Sequence, residues 1–115
     1  MRDISSSNDV HLLVNLFYAK VKKDDLLQPY FEHLNWSEHL PRMEKFWRFG
    51  LLDESGYITN VTEIHLSMKL NKSLFDRWIE LFNATVDENF KGENAEKAKF
   101  KAYHMGWTMQ AKFKD

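Results

Sequence analysis

The most informative absence in this sequence is cysteine, which does not occur in its 115 residues. Without thiols the chain cannot form disulfides, iron–sulfur clusters, thiolate-bound metal centres or the usual zinc knuckles. Long apolar runs are missing as well, so neither a membrane-spanning helix nor a signal peptide is predicted. We therefore expect a soluble, cytoplasmic protein.

Proline and glycine are also scarce, and the chain has no large excess of charge of either sign. Two prolines and four glycines in the whole chain predict long helices. The 16 basic and 17 acidic side chains nearly balance, which argues against a nucleic-acid-binding surface. The chain has no glycine-rich phosphate loop, no nucleophile elbow and no pair of histidines at metal-binding helical spacing. These absences argue against a di-iron bundle and a zinc protease.

Aromatic side chains, in contrast, are abundant. Nine Phe, four Trp and four Tyr make up 15% of the residues. The length suits one domain over residues 1–115 with one hydrophobic core. Within that core the rings either fill space or line a slot for a flat ligand, and the composition leaves both interpretations open.

The spacing of apolar residues predicts four long helices and two short ones. The first long helix follows the serine cluster and ends at residues 22–25, and a short turn of helix then passes through Pro29. A loop over residues 53–60 and a short helix over 61–68 precede the third long helix, which opens with a capping box at residues 73–76 and stops at Gly92. The apolar stripes of the first, third and last long helices are Val10, Leu13, Val14, Phe17, Tyr18 and Val21; Phe75, Trp78, Ile79, Phe82, Val86 and Phe90; and Ala95, Ala98, Ala102, Tyr103, Met105, Met109 and Phe113.

The second long helix has an ambiguous start. Ser37 resembles an N-cap, but Pro41 would then forfeit a backbone hydrogen bond and clash with the carbonyl of Ser37. Leu40 is also biased away from helix because it precedes a proline. We therefore predict that the regular helix begins at about Pro41, which leaves His39 at a frayed entrance.

His65 is the most interesting of the five histidines, because it lies between two apolar residues in the predicted short helix. Its local pattern fits a metal ligand or a partly buried core histidine bonded to a backbone carbonyl. Tyr18 and Trp78 likewise fit core rings whose polar tips reach a partner or water. These patterns alone do not choose between the structural and the functional interpretation.

The order of several motifs along the chain resembles the truncated haemoglobins, specifically group III, over nearly the whole length. No single motif is specific, but six in the right order and at plausible distances are. The motifs are Leu16-Phe17-Tyr18, Leu27-Gln28-Pro29-Tyr30-Phe31, the run from Trp36 to Trp47, Gly56-Tyr57, Ile64-His65-Leu66 and the run from Phe75 to Phe82.

The resemblance implies an all-α, two-over-two helical sandwich that encloses haem b, held without covalent attachment. His65 matches the proximal histidine that binds the haem iron. The resemblance places Tyr18, His39 and Trp78 on the distal side, where small ligands bind. Residues implied to contact the haem are Phe31 at its edge, Met43 one turn after His39, and Phe46, Trp47 and Phe82 in the slot. The propionate ligands stay open among Arg42, Arg48, Lys69 and Arg77.

The implied function is binding of O2 and other small diatomic or anionic ligands at the iron. Redox detoxification of nitric oxide or peroxide is a further expectation, and it would need an unidentified reductase because the chain has no flavin or nicotinamide site. As an enzyme, the chain would be a haem-dependent oxidoreductase of the dioxygenase or peroxidase type. Two other hypotheses are a haem-free helical interaction module and a ligand sensor, although the sensor lacks an output domain. At a frayed helix start, His39 would act as a pH-dependent gate for ligands.

Overall fold

The computed structural model describes residues 1–32, 35–52 and 72–113, with side chains described as far as residue 104. The predicted loop over 53–60 and the predicted short helix over 61–68, including His65, lie outside these residues. Five helices make up the regular structure of the described residues: α1 (Ser7–Lys23), α2 (Gln28–Phe31), α3 (Trp36–Leu52), α4 (Lys72–Asn89) and α5 (Glu93–Phe113).

The long helices pack around one apolar core. Helix α1 packs against both α3 and α4, α4 packs along α5, and α5 also contacts α3. The prediction of an all-α fold is confirmed. Within the described parts of the chain, no helix is long and apolar enough to cross a membrane. The cellular location stays a prediction.

Helix α1 begins and runs as its sequence predicts. The Ser6 side chain accepts a hydrogen bond from the N–H of Asp9 at 3.2 Å, and the Asp9 carboxylate in turn accepts one from the N–H of Ser5 at 2.9 Å. Ser6 thereby caps one of the N–H groups that a helix start leaves without a partner, and Asp9 holds the residue before the cap against the first turn. The predicted apolar stripe is buried throughout: Val10, Leu13, Val14, Phe17, Tyr18 and Val21.

Helix α3 begins earlier than predicted, at Trp36, and Pro41 lies inside it. The carbonyl of Asn35 accepts the N–H of His39 at 2.9 Å, so the first turn is a regular helix. An interior proline costs about 3 kcal/mol. Burial of large apolar side chains contributes about 1.5–3 kcal/mol each, and the added turn packs Trp36 and Leu40 on the core. The prediction of a frayed entrance at His39 is therefore wrong.

Helix α4 starts one residue before the predicted capping box and ends at Asn89, before Gly92. Gly92 instead precedes α5, and its φ of 146° is one that L side chains rarely adopt. A Cβ atom at Gly92 would lie 2.5 Å from the carboxyl carbon of Asp3. Gly92 is therefore required where residues 1–6, which we call the N-terminal arm, cross the start of α5. The prediction that Gly92 stops α4 is wrong.

The start of α5 is capped from a distant part of the chain. The Asp3 carboxylate accepts hydrogen bonds from the N–H groups of Asn94 and Ala95, each at 2.8 Å. In the predicted stripe of α5, Ala95, Ala98 and Ala102 are buried, but Tyr103 is 53% exposed. The prediction that Tyr103 belongs to the buried stripe is wrong. Up to residue 104 the buried face of α5 consists of alanines, whose small side chains allow α4 to approach closely.

Candidate functional site

Every site residue predicted within the described part of the chain faces the interior. Tyr18 is on α1 and Phe31 on α2, while α3 and α4 carry the rest. All are buried except Phe46, which is half-buried against the core. The members on α3 and α4 are His39, Met43, Phe46, Trp47, Trp78 and Phe82. The predicted metal ligand His65 lies outside the described residues.

The first group of rings surrounds Tyr18. The Tyr18 and His39 rings are nearly perpendicular, at 82°, with centroids 5.0 Å apart. The Trp36 ring lies 5.4 Å from Tyr18 and 5.6 Å from His39, and Phe31 completes the group at 6.4 Å from Tyr18. The structure thus brings together three site residues from three helices, with Trp36 between them.

A second group of rings lies along α4. Phe82 stacks on Trp78 at 5.8 Å and 12°, and on Trp47 of α3 at 5.0 Å and 19°. Phe46 packs against Trp47 with centroids 5.1 Å apart. The Trp47, Phe82 and Trp78 rings are thus nearly parallel, and Phe46 meets Trp47 edge-on at 80°.

Phe17 joins the two groups. Its ring lies 4.8 Å from Tyr18, and it meets both Trp78 and Phe82 edge-on at 5.4 and 5.1 Å. The Tyr18 side chain of α1 and the Trp78 side chain of α4 therefore occupy fixed positions on either side of one phenylalanine. We call Tyr18, His39 and Trp78, together with the rings packed on them, the aromatic wall. These rings are Phe17, Phe31, Trp36, Phe75 and Phe82.

No functional position was predicted for Phe17 or Trp36, although both lie in motifs that resemble the group III truncated haemoglobins. Phe17 carried the ordinary signal of a helix stripe, which does not distinguish a core ring from a site ring. Trp36 lies three residues before His39, a spacing that puts two side chains on one helix face. This spacing had no meaning in the sequence because α3 was predicted to begin at about Pro41, after both residues.

The polar tips within the aromatic wall lie in apolar surroundings. Tyr18 is 3% exposed and His39 7% exposed, and the Nε2 atom of His39 is out of contact with solvent. Burial raises the pKa of Tyr18 well above its usual value, because an apolar site disfavours the phenolate. The hydroxyl therefore stays protonated at physiological pH and remains a hydrogen-bond donor.

At its outer side the aromatic wall ends in a small open recess. The recess has a volume of about 180 Å³ and is lined by Lys22, Gln28, Phe31, Glu32 and Trp36. The Lys22 ammonium group lies 4.4 Å from the centroid of the Trp36 ring, a cation–π contact that covers this ring. Phe31 and Trp36 thus separate the recess from Tyr18.

The residues present fit a flat, apolar cofactor with a polar ligand on one face. Stacked rings provide the apolar surface, and a tyrosine O–H and a tryptophan N–H provide two donors among them. Among the described residues, no group of three or more His, Asp or Glu side chains could hold a metal ion. Of the candidate propionate ligands, Arg77 is engaged by Asp24 and Glu80 instead.

Comparison with known proteins identifies the family. No family model matches the chain. The group 3 truncated hemoglobin ctb of Campylobacter jejuni is 30% identical over 103 residues, which cover 80% of this chain and 81% of that protein. The chain belongs to the truncated haemoglobin family. A group 1 truncated hemoglobin of Tetrahymena thermophila is 36% identical over 80 residues, 69% of this chain and 66% of that protein.

The fold agrees with this family assignment. The crystal structure of the group III truncated hemoglobin from Campylobacter jejuni matches with a TM-score of 0.87 at 24% identity, covering 100% of this chain and 97% of that chain. The resemblance to group III and the globin-like truncated fold are both confirmed. The chain is thus a globin of a haem-binding family.

Proposed function

We propose that the chain binds one non-covalent haem b per molecule, with His65 as the proximal ligand. The observation that carries this proposal is the aromatic wall, in which Tyr18, His39 and Trp78 come from three helices and are buried together. The wall would supply the distal side of the haem, where small ligands bind. Side chains that would hold the cofactor are Phe31, Met43, Phe46, Trp47 and Phe82. Haem iron, when bound, supplies the site for O2 or another small ligand.

The distal residues act through hydrogen bonds in a water-poor site. The Tyr18 hydroxyl keeps its proton because burial raises its pKa, and the Trp78 indole N–H is a donor only. Both groups stabilise negative charge on a small ligand, and they do so more strongly among apolar rings than in water. Stacked rings around them exclude water. Such a site retains ligands and stabilises charge on oxygen atoms.

We further propose that the protein's role is reactive ligand chemistry rather than oxygen transport. A carrier must release O2 readily, whereas two donors beside one ligand slow its escape. The same donors stabilise the charge that develops when a ligand reacts with nitric oxide or when the O–O bond of peroxide is cleaved. Electrons for repeated turnover would come from a separate reductase. Measuring O2 affinity and the consumption of nitric oxide and peroxide on one preparation tests this part of the proposal.

The haem proposal is tested by spectroscopy and stoichiometry. The purified protein should show a Soret band and bind one haem per chain. In His65→Gly we expect loss or weak retention of haem, with recovery when imidazole is added. The exposed His11→Gly is the matched control and should bind haem as the parent does. A colourless parent protein that does not take up haem would favour the haem-free interaction module. An unchanged spectrum in His65→Gly would disprove the proximal assignment.

A further inference from the structure

An ion pair between Asp24 and Arg77 lies beside the aromatic wall and plays no part in the proposed chemistry. Nε of Arg77 donates a hydrogen bond to Oδ1 of Asp24 at 2.7 Å, and Nη2 lies 2.7 Å from the same oxygen in an ion pair. The other carboxylate oxygen, Oδ2, accepts the N–H of Leu27 at 3.1 Å. Burial alone would raise the pKa of Asp24, but the bonds from Arg77 and from backbone N–H groups outweigh it and lower that pKa. Asp24 is thus held as a carboxylate.

The ion pair connects three elements that each carry a ring of the proposed site. Asp24 ends α1, the helix of Tyr18, and its N–H donates to the carbonyl of Val21. Its own carbonyl accepts the N–H of Gln28 at 2.8 Å and so starts α2, the helix of Phe31. Arg77 precedes Trp78 on α4. Through its backbone and its carboxylate, Asp24 therefore ties the end of α1 and the start of α2 to the first half of α4.

We propose that Asp24 and Arg77 are positioning residues that set the Trp78 indole relative to the Tyr18 hydroxyl. Between α1 and α4 the Phe17 ring makes apolar contacts, and such contacts tolerate sliding of one helix along the other. A charge-assisted hydrogen bond with a second guanidinium nitrogen on the same oxygen atom, in contrast, has a narrow range of favourable geometry. Trp78 follows Arg77 in the helix, so its direction changes with any rotation or shift of α4. This inference rests on the proposed function, in which both donors face one ligand.

The test uses Asp24→Asn and Arg77→Lys, with Asp76→Asn as the matched control. Asp76 belongs to an exposed ion pair with Lys72 on the same helix, at 2.7 Å. In the haem-free protein we expect the NMR signal of the Trp78 indole N–H to shift in both test variants and to stay in place in the control. Assignment of this signal comes from Trp78→Phe. An unchanged signal in Arg77→Lys, which keeps the positive charge, would overturn the inference.

A second readout separates positioning from general destabilisation. In the haem-bound protein, Asp24→Asn should accelerate O2 dissociation about fivefold, as expected for loss of one hydrogen bond to the ligand. In the Trp78→Phe background the same substitution should have no further effect. Equal acceleration in both backgrounds would overturn the inference, because the effect would then not act through Trp78. If no variant bound haem, the proposed function would fail, while the indole signal would still decide on positioning.

Discussion

The Tyr18 and His39 rings, from the first and third helices, meet nearly at right angles with their centroids 5.0 Å apart. This contact depends on the first turn of α3, which starts at Trp36 rather than at Pro41. It makes His39 part of a packed interior, and this contradicts the idea that the ring swings freely from a frayed helix end. The distal side of the proposed haem site is therefore pre-organised by ring packing.

Removing either donor of the aromatic wall should weaken ligand retention. We expect Tyr18→Phe and Trp78→Phe each to accelerate O2 dissociation about fivefold, because a neutral hydrogen bond contributes on the order of 1 kcal/mol. Rapid mixing of the oxygenated protein with a ligand trap measures this rate. Tyr30→Phe, which alters an exposed tyrosine on α2, is the control and should leave the rate unchanged. Parent-like rates in both test variants would contradict the proposal that Tyr18 and Trp78 donate hydrogen bonds to the bound ligand.

His39→Ala should destabilise the protein rather than open a route for ligands. Truncation leaves a void between the Tyr18 and Trp36 rings, and we expect the free energy of unfolding to fall by about 1–3 kcal/mol. Urea denaturation of the haem-free chain measures it. His11→Ala is the control, since it removes only an exposed histidine paired with Glu44, a contact worth about 0–1 kcal/mol. Equal losses in the two variants would show that the His39 ring is not a structural contact.

The Asp24–Arg77 pair should give stability a defined dependence on pH. The folded-state pKa of Asp24 lies below its unfolded value, so the ion pair stabilises the fold above that unfolded value of about 3.9. The contribution is lost as pH falls through the folded pKa. We expect Asp24→Asn to lower the denaturation midpoint at neutral pH and to differ progressively less from the parent below about pH 4. A difference that stayed constant into strong acid would contradict the ionised state of Asp24.

Gly92 should be far less replaceable than Gly50. Gly92→Ala places a Cβ at a φ of 146° and against the Asp3 side chain, so we expect a loss of about 1–3 kcal/mol. Gly50→Ala is the control, because its Cβ would meet Lys101 at an ordinary 3.5 Å within helix α3. It should be neutral or stabilising by up to about 1 kcal/mol, given the higher helix propensity of alanine. Thermal unfolding compares the two, and equal midpoints would contradict the tight crossing at Gly92.

Local patterns in the sequence predict much of this fold but little of its site geometry. The apolar stripe of α1 follows from a period of three and four residues, which depends only on near neighbours. The rule that proline avoids helix interiors is local as well, and it failed at Pro41 because tertiary burial of Trp36 and Leu40 outweighed it. The carboxylate of Asp24 and the guanidinium of Arg77 lie 53 residues apart in the chain, and no periodic signal connects them.

The predicted site residues came from family resemblance rather than from spacing. A buried Tyr18 or Trp78 looks the same in sequence whether it fills a core or faces a ligand. What the structure adds is the arrangement: Phe17 between the two, and Trp36 packed on His39. His65 lies outside the described residues, so its role stays a prediction that the haem experiments address.

The capping of α5 by Asp3 has a consequence for the order in which the chain folds. The two N–H groups that Asp3 binds are 91 and 92 residues further along. The same arm bonds to Lys91 through the carbonyl of Arg2 and to the Asn94 side chain through that of Ile4. During synthesis the arm emerges from the ribosome before its partners do, and it can bind them only once they have emerged. Closing so long a loop has a high entropic cost. The arm therefore docks among the last events of folding, once α4 and α5 have formed.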